Sequence, residues 1–185
     1  MPSTSTITRN IALAAIFSIG MLGGCSSSPT KSPDVETGIR HSLDQSGYKD
    51  VSVSQDRDKG VITLTGHVPA DSDKQQAESI ANSLAAGQVV SDQIAVLPPG
   101  GEKDAEAINS DLDKGIEKNV DAALIQNRAK KDVSYDVKNG VVTLKGSVNS
   151  QIRRTQVERI ASGVPNVKQV VNELQVRDQK ASSTN

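Results

Sequence analysis

Gly60-Val61-Ile62-Thr63-Leu64-Thr65-Gly66 returns at residues 140–146 as Gly140-Val141-Val142-Thr143-Leu144-Lys145-Gly146, at an offset of 80 residues. Further identities follow at the same offset, including Gln76 with Gln156 and Ile80 with Ile160. A one-residue gap then aligns Gln88-Val89-Val90 with Gln169-Val170-Val171. Self-similarity of this length indicates one structural unit written twice. The chain is therefore expected to contain two small modules of the same fold.

Each copy predicts the element order α-β-β-α-β, which is an α+β fold with a small three-stranded sheet packed against two helices. In the first copy, Val35, Ile39 and Leu43 recur at helical spacing, and alternating residues predict a hairpin over 51–68. In the second copy, Asn139-Gly140 is a strong tight-turn signal. Helices are predicted at 73–86 and 150–162, and closing strands at 89–97 and 167–176.

The module boundaries follow from composition as well as from the repeat. We predict a first module over residues 34–97, a linker over 98–105, a second module over 106–177 and a disordered tail over 178–185. Pro98-Pro99-Gly100-Gly101 separates the modules, because this stretch neither continues a strand nor begins a helix.

Residues 1–24 are typical of an export signal. Arg9 supplies the positive charge, and the apolar run from Ile11 to Leu22 is shorter than the roughly 20 residues needed to span a bilayer. Leu22-Gly23-Gly24-Cys25 resembles the lipobox of bacterial lipoproteins, which implies that Cys25 is lipidated and becomes the mature N-terminus. Cys25 is the only cysteine, so it has no disulfide partner within the chain. Residues 25–33 then form a polar tether.

Composition excludes several classes of function. After the leader the only aromatic residues are Tyr48 and Tyr135, and tryptophan is absent. Nucleic-acid strands and sugars are bound by stacking on aromatic faces, so neither is an expected ligand. His41 and His67 have no acidic or cysteine partner at a metal-binding spacing. We therefore predict no catalytic residues, no metal site and no cofactor, and we expect a protein that is not an enzyme.

Charge divides unevenly between the two copies. Residues 34–97 hold ten acidic and five basic residues, whereas residues 106–177 hold nine acidic and twelve basic ones. The basic second module is therefore the better candidate for contact with an anionic surface. Drift of charges on solvated faces explains the division equally well.

The second helix of the basic module carries the candidate contact residues. Arg153 and Arg154 lie near its N-terminus, where cations oppose the helix dipole. Helical spacing places Ile152 and Arg159 on the face away from the core. An exposed aliphatic residue among cations suits insertion into anionic phospholipid headgroups, so we predict phospholipid contact by Ile152, Arg153, Arg154 and Arg159. The alternative is that Ile152 folds under the preceding loop and the arginines pair with Glu158 or with acids of the first module.

Two sequence features together resemble the BON domain. One is the Gly-Val-x-x-Leu-x-Gly strand, and the other is Gly163-Val164-Pro165-Asn166-Val167 followed by Val170, Asn172, Leu174 and Val176. The resemblance covers nearly the whole mature chain, although Ala85 to Val89 depart from the corresponding turn. It implies phospholipid association, envelope maintenance and survival of osmotic or membrane stress, without known catalysis. The resemblance and Cys25 together indicate a protein that is anchored on the periplasmic face of the outer membrane. If Cys25 is not lipidated, the protein is expected in the periplasm. The alternative function is a non-catalytic scaffold that binds another envelope protein.

Overall fold

A computed structural model describes residues 31–177 and contains the four helices and the repeated strands that the sequence predicts. The first module consists of α1 (Glu36–Gln45), β1 (Val51–Asp56), β2 (Val61–Val68), α2 (Asp71–Leu84), β3 (Val89–Asp92) and β4 (Ala95–Val96). The second consists of α3 (Glu102–Gln126), β5 (Val133–Lys138), β6 (Val141–Val148), α4 (Gln151–Ser162), β7 (Gln169–Asn172) and β8 (Gln175–Val176).

Each module is a mixed sheet covered on one face by two helices. The central strand pairs antiparallel with the first strand and parallel with the third, so the strand orders are β1-β2-β3 and β5-β6-β7. The predicted α+β modules are confirmed. Alternate residues of the central strands point toward the helices, and the two cores repeat each other. Their fully buried members include Ile39, Leu43, Ile62 and Leu64 in the first module, and Val120, Leu124, Val142 and Leu144 in the second.

The predicted closing strand is broken in both modules. Asp92 Oδ1 accepts a hydrogen bond from the Ile94 amide at 3.1 Å, and Asn172 Oδ1 accepts one from the Leu174 amide at 3.2 Å. These local bonds compete with strand pairing and turn the chain after β3 and β7. Pairing with the central strand resumes only at β4 and β8. The prediction of continuous strands over 89–97 and 167–176 is therefore wrong at this point.

The repeat keeps its offset through the third strands. Val90 pairs with Ile62, and Val170 pairs with the equivalent Val142. The alignment of Val89-Val90 with Val170-Val171 is therefore wrong by one residue. A row of valines suits either register, and only the pairing with the central strand decides between them.

The connection between the modules is shorter than the predicted linker over 98–105. The α3 helix already begins at Glu102, because Glu102 and Asp104 place negative charge in its first turn, where the helix dipole favours it. Glu102 also accepts a hydrogen bond from the Gly100 amide at 2.9 Å.

The Asn139-Gly140 turn is confirmed by φ values of +50° and +83°.

The two modules pack against each other through the sheet faces that point away from their helices. Val61, Val141 and Val171 form a separate buried cluster, and Ser91 is buried as well. The Gln169 side chain bonds the free edge of β3, donating to Val90 O at 2.7 Å and accepting from the Asp92 amide at 3.1 Å. These contacts join the two modules.

Among residues 31–177 one ion pair crosses between the modules. Its basic residue belongs to the module with net negative charge, and its acidic residue to the module with net positive charge. Lys59 of the acidic module bonds Glu173 of the basic module at 2.7 Å. This hydrogen bond raises the pKa of Lys59 above its ordinary value. The opposite net charges of the modules are therefore not the source of this ion pair.

Three predicted segments lie wholly or partly outside the described residues: the leader over 1–24, the tether over 25–33 with Cys25, and the tail over 178–185. Between residues 31 and 177, no helix combines the length and the hydropathy that crossing a bilayer requires.

Candidate functional site

The α4 helix presents its first turn at the surface of the second module. The Ser150 side chain caps it, because Oγ accepts a hydrogen bond from the Arg153 amide at 3.1 Å. Val157 and Ala161 are buried against the sheet. Ile152 lies on the other side of the helix with 83% of its surface exposed. The alternative in which Ile152 folds under the preceding loop is therefore wrong.

Arg154 points back into its own module and does not join the surface around Ile152. Its Nε donates to Leu174 O at 2.9 Å, and one terminal nitrogen donates to Asn172 O at 2.7 Å. These carbonyls flank the break between β7 and β8. Arg154 thus stabilises the strand break, which explains why a cation is present near the N-terminus of this helix.

Lys74 has the same role in the first module, at the position equivalent to Arg154. Its Nζ donates to Ile94 O at 2.7 Å and lies 3.7 Å from an Asp92 carboxylate oxygen. Burial lowers the pKa of Lys74, and burial raises the pKa of Asp92. The second module has the neutral Asn172 in place of Asp92. A cation at both repeat positions was the sequence signal that could have identified this structural role.

Arg153 connects α4 to the end of α3. It donates to the backbone carbonyl of Arg128 and, at 2.9 Å, to Gln156 Oε1. Arg128 is exposed, so it adds a cation that the sequence prediction missed. The signal was weak because Arg128 lies in a turn that shows no periodicity.

Arg159 is exposed on the same side of α4 as Ile152. Both residues line a shallow depression of about 590 Å³, together with Thr155 and Gln156. Arg159 also borders a groove of about 460 Å³ between α3 and α4. The structure therefore brings Ile152 and Arg159 together, with Arg153 beside them, and separates Arg154 from the group.

Lys130 is a nearby cation that is already paired. Its Nζ lies 2.6 Å from Asp121 Oδ1 and 4.4 Å from the centre of the Tyr135 ring. The hydrogen bond to Asp121 raises the pKa of Lys130, and the same bond lowers the pKa of Asp121. This cluster ties the end of α3 to β5.

The histidines stand apart from the α4 surface. His41 bonds Gln45 across one turn of α1 at 2.9 Å. His67 borders a cleft of about 660 Å³ between the modules, which Asp113 and Lys114 of α3 also line. Among residues 31–177 no group of three or more histidine, cysteine or acidic side chains is placed to hold a metal ion.

Comparison with known proteins identifies the repeat. The family model described as BON domain matches twice, over residues 32–98 and 112–178. The chain is 27% identical to the osmotically-inducible protein Y of Escherichia coli (strain K12) over 137 residues, which cover 73% of this chain and 67% of that protein.

Two solved structures show a partial likeness to this chain. One is the C-terminal domain of CdsD, the structural protein of the type III secretion system of Chlamydia trachomatis. It has a TM-score of 0.34 and 15% identity, covering 80% of this chain and 100% of that one. A second CdsD structure has a TM-score of 0.33 and 15% identity, with 78% and 92% covered.

Proposed function

This chain belongs to the BON domain family, and we propose that it is a non-enzymatic envelope protein whose second module contacts anionic phospholipid. Similarity to the osmotically-inducible protein Y supports a periplasmic protein related to osmotic stress. We infer no catalytic step, and the proposed ligand is a membrane surface.

The exposure of Ile152 beside Arg159 is the observation that carries the membrane contact. An isoleucine with 83% of its surface in water is unfavourable in solution and gains free energy where it enters an apolar layer. Arg159 lines the same depression as Ile152, and Arg153, the next residue in the chain, bonds the backbone of the exposed Arg128. The guanidinium groups of these arginines attract phosphate headgroups. Arg154 is left out because its bonds to Asn172 O and Leu174 O are partly buried, whereas the bonds that Arg153 makes are exposed. The proposed contact therefore consists of Ile152, Arg153 and Arg159, with Arg128 added.

Replacing Ile152 by aspartate and Arg159 by glutamate should weaken binding to anionic vesicles by about 100-fold. Each arginine near an anionic surface contributes about 1 kcal/mol. Burial of an isoleucine side chain contributes roughly 1.5 to 3 kcal/mol. Flotation of residues 26–185 with anionic and zwitterionic vesicles measures the effect, and added salt should weaken binding further.

The first module offers a matched control. Ser72 and Ser79 are the exposed α2 residues equivalent to Ile152 and Arg159. Ser72→Asp and Ser79→Glu should therefore leave vesicle binding nearly unchanged. Equal binding by the Ile152 and Arg159 double variant and the wild-type chain would show that α4 is not the membrane contact.

Lipidation of Cys25 would hold the second module near the membrane and make even a weak contact effective. Changing Cys25 to alanine should leave the chain unprocessed or soluble instead of acylated and extracted by detergent. Mass spectrometry of the mature N-terminus measures this. A mature N-terminus at another residue, without the mass of acyl chains, would rule the anchor out.

A further inference from the structure

Residues 31–35 lie before α1 and are bonded along the first module, and we call them the strap. They form neither a helix nor a strand. The Ser32 amide donates to Arg57 O at 2.9 Å, and Arg57 Nε donates to Ser32 O at 2.8 Å. Lys31 forms an ion pair with Asp58 at 3.3 Å. The start of the strap is therefore fastened to the turn between β1 and β2.

Two glutamine side chains hold the rest of the strap. Gln55 Nε2 donates to Pro33 O at 2.7 Å, and Gln55 Oε1 accepts from the Val35 amide at 3.1 Å. Gln88 Nε2 also donates to Pro33 O, at 3.1 Å. The second amide hydrogen of Gln55 is bonded to Gln88 Oε1 at 2.6 Å, and that of Gln88 to Ala85 O at 3.1 Å. All four amide hydrogens of this pair are therefore bonded, and Val35 packs against the core of the first module.

Among the described residues, the second module has no equivalent of these contacts, so the fold itself does not require them. At the 80-residue offset, residues 111–115 correspond to the strap, and they lie within the α3 helix. Tyr135 corresponds to Gln55, and its hydroxyl group bonds Glu117 O and Asp121 instead. Chain termini are poorly ordered unless they are fastened. The strap therefore serves the N-terminal end of the chain, where the predicted tether joins the first module.

The strap decides how much free chain separates Cys25 from the folded module. Lys31 is six residues after Cys25, and an extended chain of that length spans at most about 20 Å. Without the strap, the first residue held by the fold is Glu36, at the start of α1. Glu36 is eleven residues after Cys25, a length that spans at most about 37 Å. The strap thus nearly halves the reach of a lipid anchor at Cys25.

A short series of contacts leads from the strap to the membrane contact proposed for α4. Lys59 lies in the same turn as Asp58 and bonds Glu173 of the second module at 2.7 Å. The backbone carbonyls on either side of Glu173 accept hydrogen bonds from Arg154. Arg154 is two residues from Ile152, the exposed aliphatic residue of that contact. The end of the tether and the proposed contact are therefore joined through adjoining parts of the two modules.

We propose that the strap is a positioning element, which fixes the point where the tether leaves the first module and so keeps α4 within reach of the membrane. This proposal rests on the lipid anchor and the α4 contact proposed above. A tethered contact gains effective concentration from a short tether and loses it roughly as the −3/2 power of the tether length. Gln55 and Gln88 act through the length of the tether and not through contact with lipid.

Replacing Gln55 and Gln88 by alanine should release the strap, because the side chains that bond its backbone are removed. Hydrogen exchange of the mature chain in solution measures this release. The Val35 amide should exchange at least about tenfold faster in the variant than in the wild type. Gln75→Ala with Gln76→Ala is the matched control, since these glutamines are exposed on α2 of the same module. Equally fast exchange of the Val35 amide in the wild type and the variant overturns the strap.

The effect on membrane contact is measured with the mature chain coupled through Cys25 to a maleimide lipid in vesicles. Cys25 is the only cysteine, so the coupling has one site and does not depend on natural lipidation. Hydrogen exchange across residues 151–156 should be slower on vesicles that contain anionic phospholipid than on zwitterionic vesicles. Release of the strap should reduce this protection about two- to threefold, because the free tether is longer.

Two changes of tether length separate positioning from a loss of stability. Insertion of five glycine and serine residues between Thr30 and Lys31 keeps all described contacts and should reduce the protection as much as release does. It therefore tests the proposal even if the glutamine variant fails to fold. Deletion of residues 26–30 in the released variant returns the tether to its original length and should restore the protection. Unchanged protection after release or insertion, or a deletion that does not restore it, overturns the proposal.

The outcomes also separate this proposal from the proposed function. If exchange across residues 151–156 is the same on anionic and zwitterionic vesicles for the coupled wild-type chain, the α4 contact is wrong. The positioning role is then overturned with it, even where slow exchange of Val35 shows that the strap is fastened. If those residues are protected on anionic vesicles and release of the strap has no effect, only the strap proposal is wrong.

Discussion

Replacing Gly146 by alanine should unfold the second module or destabilise it by several kcal/mol. Gly146 has a φ of +115°, which residues with a side chain rarely adopt. A Cβ at this position would overlap the backbone carbonyl oxygen of Asp132, the residue directly before the neighbouring strand β5. Backbone strain of this kind costs roughly 1 to 3 kcal/mol, and the overlap adds to it. Since domains are stable by only about 5 to 15 kcal/mol, the loss should be large.

Urea denaturation followed by circular dichroism measures this loss. Gly66 is the equivalent residue of the first module, with a φ of +102° and the same overlap with Asp50 O, so Gly66→Ala should behave alike. Gly38→Ala provides the control. Gly38 is helical and open, so alanine should stabilise the chain by about 0.5 to 1 kcal/mol. A Gly146→Ala variant as stable as the wild-type chain would contradict the argument.

The repeated strand motif predicted the modules, because its alternating residues and its terminal glycines depend on local geometry. The breaks after β3 and β7 could not be predicted in this way. Asp92 and Asn172 fall within ordinary strand patterns, and only their bonds to Ile94 N and Leu174 N reveal the turn. Packing between the modules could not be predicted from the strand pattern either. Val61 and Val141 face away from their own cores, and valine is common on either face of a strand.

The candidate site was partly predictable. Helical periodicity placed Ile152 away from the core, and its exposure confirms that placement. The same periodicity could not show that Arg154 bonds two carbonyls that lie 18 and 20 residues further along the chain. Those carbonyls are available only because the strand is broken at that point. A long-range contact that depends on an unpredicted turn is not accessible from helical spacing alone.

Replacing Lys74 by methionine should destabilise the chain by about 3 kcal/mol at neutral pH, because one buried charge is left without its partner. The Asp92 side chain is only 7% exposed, and Lys74 is the cation beside it. Methionine has a similar length but cannot bond Ile94 O. Urea denaturation of the wild-type and variant chains measures the difference.

The deficit should shrink as the pH falls. Burial raises the pKa of Asp92 in the folded chain, although Lys74 partly opposes that shift. Without Lys74 the folded pKa rises further above the unfolded value. When a carboxyl group has a higher pKa in the folded than in the unfolded chain, the folded chain loses stability as the pH rises from the unfolded pKa to the folded pKa. In this range the group is ionised in the unfolded chain and still protonated in the folded one. Below this range Asp92 is protonated, and only the lost hydrogen bonds of Lys74 remain as a cost.

The second module provides the comparison that separates charge from hydrogen bonding. Arg154→Met removes the same carbonyl bonds but leaves the neutral Asn172, so its cost should be smaller and nearly independent of acidic pH. Adding Asp92→Asn to the Lys74→Met variant should recover much of the lost stability. An asparagine side chain carries no charge and can still accept the hydrogen bond from the Ile94 amide, as Asn172 accepts one from the Leu174 amide. If Lys74→Met shows the same deficit in acid as at neutral pH, or if Asp92→Asn gives no recovery, the buried charge is not the cause.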